Sequence, residues 1–97
     1  MAIENAHGRV TYLRVHKKGT QYGGANDVID VEVVIHLEGQ AGQAFGFPLR
    51  DDGDGPAYRA MFDLLLSAYE RDSAVYIGYV GGSGQNHELI RVWEVRA

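Results

Sequence analysis

Apolar and polar residues alternate most regularly between Val28 and Glu38. Ile29, Val31, Val33, Ile35 and Leu37 fall on one side. Asp30, Glu32, His36 and Glu38 fall on the other, with Val28 and Val34 among them. A period of two with one wet face predicts a half-buried antiparallel strand. Upstream, His7 to Lys18 reads as a longer strand with a broken phase. Val10 and Tyr12 share one side, then Leu13 and Val15 share the other, which predicts a bulge in a bent strand. After a turn over Gly39 to Gln43, Phe45, Phe47 and Leu49 alternate on a third strand. Pro48 cannot donate a ladder hydrogen bond and so belongs at an edge or a strand end.

The period then changes from two to 3.6. Pro56 to Glu70 (PAYRAMFDLLLSAYE) predicts a helix, with Pro56 in its first turn and Asp54 or Gly55 as its cap. Ala57, Met61, Leu64, Leu65 and Ala68 form one stripe, and Tyr58, Phe62, Leu66 and Tyr69 a second beside it. Arg59, Asp63 and Glu70 hold the remaining face. Together the stripes exceed the ~100° that a surface helix needs for one core. The first stripe is accounted for by the core. The second, with Trp93, predicts a subunit interface, where aromatic residues are enriched.

Ser73 to Val80 predicts a fourth strand, with Val75, Ile77 and Tyr79 on one side. His87 to Arg96 predicts a fifth, with Leu89, Arg91, Trp93 and Val95 on one side and Ile90 and Val92 on the other. The order β-β-β-α-β-β is that of an OB-like five-stranded Greek-key barrel with a helix between strands three and four. The rival arrangement is an open antiparallel sheet with one helix packed across it.

Composition narrows this reading. Ninety-seven residues make a single domain, 1–97, and 45% hydrophobic with 23% charged residues excludes a disordered chain. The absence of cysteine excludes disulfides and cysteine-based zinc sites. With no basic, apolar leader at the N-terminus, this favours a reducing, cytoplasmic setting. No apolar run approaches the ~18 residues that span a membrane. The net charge of −4 disfavours a general polyanion binder.

The run AMFDLLLSAYERDSAVYIGYV resembles the helix and following strand of small OB-fold proteins related to the B subunits of bacterial toxins. The resemblance takes in that run and the order of elements. It implies a ring, commonly a pentamer, that binds host-surface glycans. The chain departs from that pattern in lacking both cysteines and a signal peptide. No binding residue carries over.

Two loops are candidate ligand sites. GTQYGGAND offers Gln21, Tyr22 and Asn26, and GGSGQNH offers Gln85, Asn86 and His87. Amides bridge sugar hydroxyls and an aromatic ring stacks on a pyranose. In an OB barrel, both loops are expected near one end. The alternative ligand is single-stranded nucleic acid, held by Arg14, His16, Lys17 and Lys18 with Tyr12, Tyr22 and Tyr76 as stacking platforms. Against this, the basic run reads as a solvated strand end balanced by Asp30 and Glu32.

No metal or cofactor is expected. In DDGDG, Asp52 and Asp54 fit the first two positions of a calcium loop, but Pro56 occupies the third, so the cluster reads as a helix start. His7, His16, His36 and His87 have no metal-ligand spacing, and Ser67 and Ser83 sit in no nucleophile motif. The expectation is a non-enzymatic oligomeric binding module.

Overall fold

The computed structural model describes residues 3–17, 31–49, 53–81 and 86–95. The elements are β1 (Glu4–Val15), β2 (Val33–Leu37), β3 (Ala44–Phe47), α1 (Gly55–Arg71), β4 (Ala74–Gly81) and β5 (Asn86–Trp93). The strands close into a barrel in the order β1-β2-β3-β5-β4, with β4 returning to β1. The predicted OB-like barrel is therefore the architecture, and the open-sheet alternative is not.

Closure depends on β1 serving two neighbours. Its first half pairs with β4, from Glu4↔Tyr79 to Arg9↔Ala74, and its second half pairs with β2, from Val10↔Leu37 to Val15↔Val33. The register shifts between Val10 and Tyr12, where the broken phase of the sequence predicts a bulge. The extra residue returns Leu13 to the inside, so Val10 and Leu13 both meet the core while Tyr12 faces out.

β3 pairs antiparallel with β2 and parallel with β5, but the parallel ladder runs only from Ala44↔Asn86 to Gly46↔Glu88. The strand stops at Phe47, and the next residue, Pro48, has no N–H with which to extend it. The first turns of α1 lie beside this seam, where Tyr58 stacks on Phe47 with ring centroids 6.1 Å apart.

The helix begins after Asp54 with Pro56 in its first turn, although the Asp54 side chain makes no cap hydrogen bond. It ends in a Schellman turn. Asp72 takes a left-handed conformation (φ 55°), its N–H donates to the Tyr69 carbonyl, and the Ser73 N–H donates to the Ala68 carbonyl.

The core joins Val10, Val33, Ile35, Leu37, Phe45, Phe47, Val75, Ile77 and Leu89 from the strands to Leu65 and Ala68 from the helix.

Three assignments of side are corrected. Val31 does not share a side with Val33, Ile35 and Leu37, because the chain bends before β2 begins. It joins Val34 and Ala44 in a second buried cluster. Glu32 is not on a solvated face: it is 3% exposed, and its carboxylate accepts the Leu49 N–H at 3.0 Å. In β5, Gly78 pairs with Arg91 and Tyr79 with Leu89, so Ile90 is the extra residue of a second bulge. Leu89 and Val92 both meet the core as a result, and Arg91 and Trp93 lie outside.

Candidate functional site

Alternation around inward Ala6, Val75, Ile77 and Val92 turns His7, Tyr76 and Trp93 outward on three adjacent strands. The registers His7↔Tyr76 and Tyr76↔Trp93 place them in one row. The rings stack: His7 and Tyr76 are 5.1 Å apart at 20°, and Tyr76 and Trp93 are 5.8 Å apart at 21°. Each inner ring face is thus occupied by its neighbour. The row offers solvent its ring edges and the faces at its two ends.

The next row is Asn5, Gly78 and Arg91. Arg91 lies flat across Gly78. A Cβ built there would stand 2.7 Å from the Arg91 Cγ, so only glycine seats the side chain this way. Arg91 is exposed and makes no hydrogen bond or ion pair among the described residues.

On the other flank, Arg9 grips Glu38 with two hydrogen bonds of 3.1 and 2.7 Å and reaches Asp72 at 3.2 Å. The hydrogen bond from Arg9 holds the Glu38 carboxyl below its ordinary range, and the same bond raises Arg9. Arg71 is similarly tied to Glu94 at 3.0 Å. Two shallow depressions, of about 560 and 500 Å³, meet at Ala74 between these pairs.

The outer face of β2 and β3, a usual ligand face of OB barrels, has a different character. Val34 and Ala44 point outward there but are buried with Val31. A Cβ on Gly46 would stand 2.7 Å from the Val31 Cγ2, so the chain itself occupies this face. The strand ends that carry the two predicted ligand loops are not gathered at one end. Val15 pairs with Val33, which pairs with Phe47, whereas Asn86 pairs with Ala44, at the opposite end of β3.

Gln21, Tyr22, Asn26, Gln85 and Lys18 lie outside the described residues. Asn86 and His87 belong to β5 rather than to a loop. The His87 ring packs against Phe45 (5.4 Å) and Tyr79 (4.9 Å), and its Nε2 hydrogen-bonds Gln43 Oε1. Its Nδ1 is buried without a partner. Arg14 and Lys17 are exposed, but both ring nitrogens of His16 are buried without partners, so His16 does not face a phosphate. His36 is half-buried and stacks on Tyr12 at 4.4 Å.

Of the second helix stripe, Tyr58 and Phe62 pack partly against the core, while Leu66 (36% exposed) and Tyr69 (46%) are open to solvent. Trp93 is half-buried on the outer face. The sequence points to Trp93 and Tyr76 separately, for different roles, and weighs His7 only as a metal ligand. The cross-strand register brings the three together, and no local spacing encodes it.

Among the described residues no three histidine or acidic side chains gather as metal ligands, and no helix is long and apolar enough to cross a membrane. Comparison of the chain with protein-family models, with curated proteins and with solved structures finds no match.

Proposed function

We propose that the chain is a non-enzymatic assembly and binding module whose copies join through the outer face of β1, β4 and β5. The observation that carries this reading is the row His7–Tyr76–Trp93. Its inner ring faces are already paired, which suits burial against a protein surface better than insertion of a flat ligand. The exposed Leu66 and Tyr69 on α1 and Val95 (61% exposed) beyond β5 supply further apolar area. The resemblance to ring-forming toxin B subunits points the same way. Repetition around an assembly makes a weak site for a glycan or protein multivalent, and segments 19–27 and 81–87 are separate candidates for such a site.

Light scattering across concentration tests the reading. A defined multimer at micromolar protein, reduced by Trp93→Ala, supports it. A 10.7 kDa particle at every concentration removes it.

A second reading, single-stranded nucleic-acid binding, draws on the Tyr12–His36 stack beside Arg14 on β1. Salt-dependent retention of a labelled oligonucleotide, weakened by Arg14→Ala, would favour it. Negligible retention at low salt would eliminate it.

A further inference from the structure

Resting on the assembly reading above, we infer that the joint is heterologous: α1 of one copy docks on the β1–β4–β5 face of the next. The two surfaces complement each other in charge and in apolar content. On the sheet face, Arg91 is an exposed guanidinium with no partner among the described residues, beside the Tyr76–Trp93 stack and exposed Val95. The other arginines flanking this face are neutralised, Arg9 by Glu38 and Asp72 and Arg71 by Glu94. Of these three arginines, Arg91 alone has no carboxylate partner among the described residues, and it stands beside an apolar strip.

The helix carries the converse. Leu66 and Tyr69, one turn apart, are exposed, and Asp63 and Glu70 are exposed acids without hydrogen bonds or ion pairs among the described residues. At ~100° per residue Glu70 lies between Asp63 and Leu66 around the axis, so the acids border the apolar pair.

A guanidinium seated beside aromatic rings pairs with a carboxylate and desolvates at lower cost than a lysine would. Each copy holds one surface of each kind. The joint therefore repeats head to tail, and it closes into a ring where the rotation permits. Two copies joined sheet to sheet would instead bring one Arg91 towards the other.

Charge exchange between separately purified variants tests this. Arg91→Glu alone, and Asp63→Lys with Glu70→Lys alone, each oppose like charges and are expected to weaken assembly at least about tenfold. Mixed in equal amounts they are expected to reassociate into mixed assemblies that neither forms alone, because one joint is then native and the next has its charges exchanged. All three positions are exposed, and circular dichroism of each variant checks that it remains folded. Leu66→Gln with Tyr69→Gln removes the apolar half of the joint without touching a charge and is expected to weaken assembly as well.

Wild-type-sized particles in the Arg91→Glu variant alone, or a mixture that stays dissociated, would overturn the heterologous joint while leaving assembly intact. A wild-type chain that is monomeric throughout would overturn both.

Discussion

The two outer faces of this barrel are built by the same rule and end differently. On β2 and β3, alternation turns Val34 and Ala44 outward, and the chain itself covers them, with Val31 lying against Gly46. On β1, β4 and β5, alternation turns His7, Tyr76 and Trp93 outward, and they remain half-buried or exposed. An outward apolar residue is thus either part of a second core or part of a surface, and strand periodicity does not distinguish them. Substitutions that are destructive on one face should be mild on the other.

The largest contrast is a buried charge. Val34→Asp places an unpaired carboxylate at a site 1% exposed and should cost about 4 kcal/mol or more, enough to unfold much of the population. Tyr76→Asp on the other face should cost about 1 kcal/mol or less in urea unfolding, mostly through lost cross-strand contact. Equal losses would mean that the second face is also sealed.

Glycine substitutions sharpen the same contrast. Gly46→Ala meets the Val31 methyl at 2.7 Å and the Val33 carbonyl oxygen at 3.0 Å, and should cost about 1–3 kcal/mol. The three atoms nearest an alanine Cβ at Gly78 all belong to the Arg91 side chain, which can swing away, whereas at Gly46 a backbone carbonyl also stands in the way. Stability should therefore fall less than for Gly46→Ala, while assembly weakens because Arg91 loses its seat.

Glu32 belongs to the sealed side. Glu32→Ala leaves the Leu49 N–H without its acceptor and should cost about 1–3 kcal/mol in urea unfolding.

The smallest effect is the pH dependence of the Arg9–Glu38 pair on the open side. The Glu38 carboxyl is depressed in the folded chain, so its contribution is complete above its unfolded value and fades as the pH falls through the folded one. Stability measured from pH 6 downward should therefore show a Glu38-dependent loss beginning below about pH 4.3. The loss should be absent in Glu38→Gln and reduced by salt, as for any exposed pair.

Much of the framework can be read from the residues. The change from period two to 3.6 at Pro56, the broken phase at Val10–Leu13 and the placement of Pro48 are local signals, and each has its structural counterpart. Departures from a straight strand are not local. The bend that moves Val31 across β2 and the bulge at Ile90 depend on how β1, β3 and β4 pair around them. Glu32 reads as solvated because its acceptor role requires Leu49, seventeen residues away. The candidate site is the least legible part. Trp93 is visible as an interface candidate, but its stacking on Tyr76, and that of Tyr76 on His7, exists only once three strands are in register.

Trp93 is the single tryptophan of the chain and lies in the proposed joint. Its fluorescence therefore reports directly on whether the β1–β4–β5 face is covered in solution. On dilution from micromolar to nanomolar protein, its emission should shift to the red and its acrylamide quenching should rise as copies separate. Emission and quenching that do not change with concentration, at the values of an exposed indole, would contradict the account.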